Sequence, residues 1–118
     1  SGGLTPMIQG AFEAHGLKDI FKEVFACTLA EDENGHITFV KETVGHTIKT
    51  QKLFMISKGT LPSQGAKIDD VNKVVSEFRI PFDRMIFLGD GQTDIPAFSL
   101  LNSYGGTSIA VYKEIKDP

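Results

Sequence analysis

The feature that most constrains the fold of this chain is a glycine-rich turn between a predicted strand and a predicted helix. Residues 85–88 are consecutive apolar residues, and residues 89–94 then read Gly-Asp-Gly-Gln-Thr-Asp before a helical pattern begins. Ligands of open parallel sheets bind at the carboxyl ends of the strands. We therefore expect the carboxylates of Asp90 and Asp94 to face a ligand at this edge of the sheet.

The rest of the chain alternates apolar strands with amphipathic helices. The predicted elements are a helix after Thr5 that Gly16 ends, a hairpin of strands 24–29 and 36–40, helices 47–58 (capped by Thr47) and 69–78, and strands 85–88 and 108–112. Strand 24–29 is of the kind that is buried on both faces, and strands 85–88 and 108–112 are predicted to be buried. This order predicts a single α/β domain over residues 1–118, with a Rossmann-like, mostly parallel sheet flanked by helices and a β-hairpin.

Composition excludes several classes of protein. Hydrophobic residues make up 41% of the chain and charged residues 23%, a globular balance that excludes a disordered chain. The net charge of −3 is unsuited to nonspecific nucleic-acid binding, so we expect no nucleic-acid partner. Because no apolar run approaches the ~20 residues that span a bilayer, we expect no membrane segment. The single cysteine, Cys27, favours a reducing, cytoplasmic location.

The two aspartates of the turn are suited to a metal ion. Two carboxylates ~4 Å apart repel by roughly 4 kcal/mol at an effective dielectric of 20. A hard divalent cation removes this repulsion, and oxygen ligands with retained waters suit Mg²⁺. The alternative is that Asp94 only caps a helix and that Asp90 is only a turn residue. The pair by itself does not decide between the two interpretations.

Two further features are suited to a phosphate. Ser1, Gly2 and Gly3 precede a predicted helix, where a hydroxyl and free backbone amides can hold an anion. The same tripeptide is also typical of a cloning remnant. Lys49 lies near the start of a helix, where the helix dipole disfavours a cation unless an anion is present. We prefer it to the other lysines of this segment because it precedes the apolar face of the helix.

In this order, the features resemble the haloacid dehalogenase (HAD) superfamily, in particular its phosphoserine-phosphatase-like branch. Ser1 is similar to the second motif of the family and Lys49 to the third. Asp90 and Asp94 are similar to the fourth motif, Gly-Asp-Gly-x-x-Asp after an apolar strand. The resemblance extends from Ser1 to about Tyr112.

The resemblance implies a magnesium-dependent phosphatase that hydrolyses a small phosphorylated substrate through an aspartyl-phosphate. Ser1 and Gly2 would hold phosphate oxygens, and Lys49 would neutralise the phosphate. Asp90 would ligate Mg²⁺. Asp94 would ligate Mg²⁺ as well, or orient its waters and Lys49.

The first motif of the family, Asp-x-Asp, does not occur in the chain. The resemblance therefore implies that the nucleophilic aspartate lies upstream and that these residues are the carboxy-terminal part of an incomplete core, inactive by itself. In the resembled fold the strand of the first motif lies centrally, between the strand that ends at Ser1 and strand 85–88. The first-motif strand and the strand before Ser1 would both lie upstream, so strands 24–29 and 85–88 would each be left with an open edge. We expect the exposed strand edges to be closed by an upstream segment or by self-association.

Two alternatives remain open at this stage. One is a non-catalytic domain of the same fold that keeps a magnesium or phosphate site and binds a partner. The other is a fragment of a P-type ATPase phosphorylation domain, whose hinge motif is similar but usually has Asn at the position of Thr93. An Asp-x-Asp after an apolar strand upstream of Ser1 would favour the enzyme.

Overall fold

The computed structural model of the chain describes residues 1–114 and shows a mixed α/β fold. Its helices and strands are α1 (Thr5–Ala14), β1 (Thr28–Glu31), β2 (Ile37–Glu42), α2 (His46–Lys58), β3 (Ile86–Gly89), α3 (Ile95–Ser103) and β4 (Thr107–Ala110). Strands β1 and β2 pair antiparallel, and β3 and β4 pair parallel, as two separate sheets. The continuous, mostly parallel sheet predicted above is not formed within the described residues. No helix of residues 1–114 is both long and apolar enough to cross a membrane.

The β3–α3–β4 segment is a parallel βαβ unit, in the order predicted from the glycine-rich turn. Its strands pair in register, beginning with Ile86 opposite Thr107. Helix α3 covers one face of this pair, where the ring of Phe87 meets that of Phe98 at a centroid distance of 5.6 Å. A left-handed glycine, Gly105 (φ 81°), turns the chain from α3 into β4. The strand, turn, helix and strand predicted for this part of the chain are therefore confirmed.

Helix α2 packs on α3 and completes a small core. It ends at Lys58, as predicted, and the next residue, Gly59, has a left-handed φ of 76°. It begins at His46 with Gly45 in the N-cap position, so the predicted cap at Thr47 is wrong. The buried core residues shared by α2, α3 and the segment before β3 are Leu53, Phe82, Met85, Ala97 and Leu101.

The predicted hairpin is present, but its first strand begins later than expected. Strand β1 starts at Thr28, whereas the prediction began at Val24. Residues 25–27 instead lie against the first residues of the chain, with a parallel bridge between Leu4 and Cys27. The apolar run of residues 24–29 therefore has two different neighbours. Its middle part lies against the N-terminal segment, and its end pairs with β2.

The helix predicted over residues 69–78 is wrong. The structure has one short 3₁₀ turn, Ile68–Asn72, and Lys73 leaves it in an extended conformation. The Nζ of Lys58 donates hydrogen bonds to the carbonyls of Val71 (2.7 Å) and Lys73 (2.9 Å). These carbonyls are held by a side chain of α2, whereas a helix would need them for its own hydrogen bonds. The apolar spacing at this place does not mark a buried helical face.

One face of the β3–β4 pair is bare. Within the described residues no element covers the face opposite α3, and its apolar side chains are largely exposed. We call this surface the open face; it consists of Ile86, Leu88, Ile109 and Val111, exposed to 66%, 63%, 43% and 52%. The prediction that strands 85–88 and 108–112 are buried is therefore wrong for this face, because among the described residues only one of the two faces has a covering layer.

The molecule also exposes more surface than its mass requires. Its accessible surface is 8773 Å², whereas a folded monomer of 12.9 kDa exposes about 6,300 Å². Its radius of gyration is 16.2 Å, against about 13.5 Å for a compact domain of this length. The excess in total accessible surface is about 2,500 Å².

Candidate functional site

A cleft of about 680 Å³ lies between the N-terminal segment, α2 and strand β3. Most of its wall is apolar, but one end is polar. The polar end contains all the residues that the sequence singled out, namely Ser1, Gly2, Lys49, Asp90 and Asp94. The fold thus brings together three segments that are far apart in the sequence, at the carboxyl end of β3.

Asp94 is the centre of this polar end. Its side chain is 5% exposed, and its Oδ1 lies 2.6 Å from the Nζ of Lys49. Its Oδ2 accepts hydrogen bonds from the backbone amides of Asp90 (3.2 Å) and Gly91 (3.1 Å). A Cβ at Gly89 would lie 2.5 Å from the Cγ of Asp94, so only glycine fits there. Asp94 therefore shapes the turn and holds the lysine at the same time.

These contacts also set the acidity of Asp94. Burial raises the pKa of Asp94, but the hydrogen bond from Lys49, the amides of Gly91 and Asp90 and the charge of Lys49 outweigh it. The pKa of this carboxyl consequently lies below its ordinary value of 3.8. The group is an anion at neutral pH, paired with a cation in a largely desolvated place.

Lys49 projects from the first turn of α2 and is 13% exposed. Besides Asp94, its Nζ donates a hydrogen bond of 3.0 Å to the Oγ1 of Thr93. An ammonium group has three N–H donors, so one remains for a ligand in the cleft. Thr93 was not predicted as a site residue. The available signal was a hydroxyl residue beside Asp94, in the same short 3₁₀ turn, Gln92–Asp94.

The two competing lysines of α2 have other partners. The Nζ of Lys52 lies 3.0 Å from a carboxylate oxygen of Glu42 and 4.9 Å from the centroid of the Phe25 ring. Lys58 binds the backbone carbonyls described above. Of these three lysines, Lys49 is the one that contacts the Gly-Asp-Gly-x-x-Asp turn, as predicted from its place before the apolar face.

The N-terminal loop lies on residues 25–27. The α-amino group of Ser1 donates to the carbonyl of Phe25 (2.7 Å), and the amide of Cys27 donates to the carbonyl of Gly3 (2.9 Å). The Oγ of Ser1 accepts from the amide of Gly3 at 3.0 Å, which leaves its hydroxyl proton to donate to a ligand.

The carboxylates do not form a two-ligand metal site by themselves. Within residues 1–114, no group of three or more His, Cys, Asp or Glu side chains could hold a metal ion. Both oxygens of Asp94 are engaged, whereas Asp90 is exposed and its carboxylate has no hydrogen-bond partner among the described residues. Mg²⁺ is commonly bound through one or two carboxylates together with substrate phosphate and water. The residues present fit that pattern, with Asp90 as the available ligand and Asp94 as the group that orients Lys49.

Comparisons with known proteins give little further information. No family model and no solved structure matches the chain. A curated protein of Borreliella burgdorferi, described as an uncharacterized protein, is 37% identical over 60 residues. The aligned part is 51% of this chain and 19% of that protein, so the match spans about a fifth of the relative. The chemistry of the site therefore rests on its own geometry.

Proposed function

We propose that these residues form the phosphate-binding and metal-binding half of a magnesium-dependent phosphatase of the HAD superfamily. The observation that carries this proposal is the pair between Lys49 and Asp94, which are 45 residues apart. The pair places a cation beside a glycine-rich turn at the carboxyl end of a parallel strand. Buried ion pairs contribute little to the stability of a fold. A role in binding phosphate therefore explains this pair better than a purely stabilising role does.

In this proposal each residue has a defined contact with the substrate. Lys49 donates its remaining N–H to a phosphate oxygen, and Asp94 with Thr93 fixes the direction of that donor. The hydroxyl of Ser1 and the amide of Gly2 hold other phosphate oxygens. Such preset donors stabilise the charge of a transferring phosphoryl group without reorganisation during the reaction.

The proposed cofactor is Mg²⁺, with Asp90 as a ligand. When bound, Mg²⁺ supplies positive charge at the transferring phosphoryl group and helps to position it. The exposed carboxylate of Asp90 is the group available for this, because Asp94 is already paired. The nucleophilic aspartate is proposed to come from a segment upstream of these residues, so the 118-residue chain alone is expected to have no phosphatase activity.

The binding half of this proposal can be tested on the chain itself. We expect inorganic phosphate to bind in the presence of Mg²⁺, and Lys49→Met to weaken that binding about tenfold, the loss of one charge-assisted hydrogen bond. Lys41→Met is the matched control, because Lys41 is exposed on β2. Titration by calorimetry or ³¹P NMR gives both values. Equal phosphate affinity of the Lys49→Met variant and the wild type would refute the assignment.

One observation favours a second candidate, a non-catalytic domain that binds a phosphorylated partner. Asp94 is saturated by Lys49 and two amides, an arrangement that serves phosphate binding with or without turnover. The two candidates differ in the upstream sequence, where only the enzyme needs an Asp-x-Asp after an apolar strand. In a polypeptide that contains this motif, Asp90→Asn should nearly abolish turnover, whereas a binding domain has none to lose.

A further inference from the structure

The side chain of Cys27 contacts two segments of the candidate site at once. Its thiol donates a hydrogen bond to the carbonyl of Gly2, with a sulfur–oxygen distance of 3.4 Å. Its sulfur also accepts a hydrogen bond from the amide of Val44, 3.3 Å away. A thiol is a weak donor and a weak acceptor, and this geometry uses both capacities. One sulfur atom therefore joins the N-terminal loop to the segment that leads into α2.

Each of the two joined segments carries part of the proposed phosphate site. Gly2 belongs to the loop that contributes the hydroxyl of Ser1 and its own amide. Val44 precedes Gly45, the N-cap residue of α2, and Lys49 lies in the first turn of that helix. The polar end of the cleft contains Ser1, Gly2 and Lys49. The position of the sulfur consequently affects the distance between the loop donors and the lysine.

Other contacts show that this junction is tightly held. The amide of Cys27 donates to the carbonyl of Gly3 (2.9 Å), and the carbonyl of Cys27 accepts from the amide of Thr5 (2.9 Å). A Cβ at Gly2 would lie 3.4 Å from the carbonyl oxygen of Val44, so the two segments approach each other closely. Val44 is 4% exposed. Removal of the sulfur would therefore leave a buried amide without its acceptor.

We propose that Cys27 is a positioning residue of the phosphate site, and that its thiol sets the spacing between the loop of Ser1 and Gly2 and the start of α2. The inference rests on the proposed function and adds to it a residue that touches no ligand. Hydrogen bonds to one phosphate require donors within a narrow range of distances, so a change in this spacing weakens binding although every donor is kept. The role requires a side chain that both donates and accepts a hydrogen bond, and it involves no reaction of the thiol.

Substitutions that keep or remove the two hydrogen bonds of the thiol test the proposal. Cys27→Ala removes both, and we expect the affinity of the folded chain for inorganic phosphate with Mg²⁺ to fall about fivefold. Cys27→Val removes both but keeps apolar bulk, and it should lose as much. Cys27→Ser keeps a donor and an acceptor, so it should bind phosphate like the wild type. Calorimetric titration, corrected for the folded fraction by circular dichroism, gives the affinity per folded molecule.

A matched control and a second measurement separate positioning from a merely structural role. Leu101 is fully buried in α3 and does not line the cleft. Leu101→Val should lower the free energy of unfolding and leave the phosphate affinity of the folded chain unchanged. By NMR, the amide of Val44 should exchange at least tenfold faster in Cys27→Ala than in Cys27→Ser or the wild type.

The possible failures of the two proposals are distinguishable. Wild-type phosphate affinity in Cys27→Ala and Cys27→Val overturns this inference and leaves the proposed function standing. A Cys27→Ser variant that binds as weakly as Cys27→Ala also overturns it, since the hydrogen bonds would then not position the loop. A wild-type chain that binds no phosphate refutes the proposed function and this inference with it.

Discussion

At the scale of single residues, the geometry of Lys49 depends on two acceptors of different kinds. Asp94 contributes the charge, and Thr93 contributes a neutral oxygen 3.0 Å from Nζ. With both in place, the ammonium group has one donor left and that donor has a fixed direction. Neither acceptor alone would fix it, because an ammonium rotates freely about its last bond.

The contribution of Thr93 can be separated from that of Asp94. Thr93→Val keeps the shape of the side chain but removes the acceptor, and we expect phosphate binding to weaken about fivefold, equivalent to ~1 kcal/mol. Thr93→Ser keeps the hydroxyl and should bind phosphate like the wild type. Calorimetric titration of both variants checks this. If valine and serine bind alike, the hydroxyl has no part in orienting Lys49.

The depressed pKa of Asp94 makes the Lys49–Asp94 pair sensitive to acid. The folded-state pKa lies below the ordinary value of 3.8, so the stabilisation is complete above about pH 5 and is lost as the pH falls below about 4. At pH 7, Asp94→Asn should lower the free energy of unfolding by about 3 kcal/mol, because Lys49 is left unpaired in a largely buried place.

Urea unfolding followed by circular dichroism at pH 7, 5 and 3 measures this difference. The gap between the wild type and Asp94→Asn should be equal at pH 7 and pH 5 and smaller at pH 3. A gap that widens on acidification would mean that Asp94 is protonated at neutral pH. Such a result would remove the charge on which the pairing depends.

At the scale of elements, β3 has one paired edge and one free edge. The amide of Thr107 donates to the carbonyl of Met85, and the amide of Val111 donates to the carbonyl of Gly89. In a parallel ladder this places the backbone groups of the odd-numbered residues of β3 toward β4 and those of Ile86 and Leu88 toward the cleft.

This alternation predicts a pattern of hydrogen exchange. The amides of Phe87 and Gly89 should exchange slowly, whereas those of Ile86 and Leu88 should exchange at least tenfold faster, because they have no strand partner in the described residues. Exchange followed by NMR resolves the four amides. Uniform protection along β3 would show that a strand is paired with the free edge in solution.

Local sequence patterns predicted the β3–α3–β4 unit and the end of α2 correctly, but the helix at residues 69–78 wrongly. The β3–α3–β4 unit and the end of α2 follow from apolar runs and left-handed glycines, which act within a few residues. The failed helix at 69–78 depends on Lys58, which binds its carbonyls from another element. No spacing within residues 69–78 contains that information.

Some residues of the candidate site could be predicted from local sequence patterns, and others could not. Asp90 and Asp94 follow from the glycine-rich turn itself, whereas Lys49 and Ser1 were joined to them only by the resemblance to a family motif order. Thr93 was not predicted, because it accepts a hydrogen bond from Lys49 only after α2 has docked on the turn. The division of work between the carboxylates, with Asp94 paired and Asp90 free, is likewise a result of packing.

At the scale of the whole molecule, the chain has a site at the junction of its parts but too little core to cover its strands. Two separate sheets, an open cleft beside β3 and an open face all result from the same shortage of covering layers. A sequence pattern identifies which residues are apolar, and it does so correctly for β3 and β4. It does not show whether the partner layer is present, so burial was overestimated.

The long separation of Lys49 from Asp94 also has a consequence for the order of folding. The strand pairs of the βαβ unit join residues 21 apart, such as Ile86 and Thr107. The pair between Lys49 and Asp94 closes a longer loop of 45 residues and must await the docking of α2. Residues that meet late contribute mainly to the barrier against unfolding. Contacts at the polar end of the cleft therefore slow unfolding. A bound phosphate that stabilises them would lower the unfolding rate and leave the folding rate unchanged.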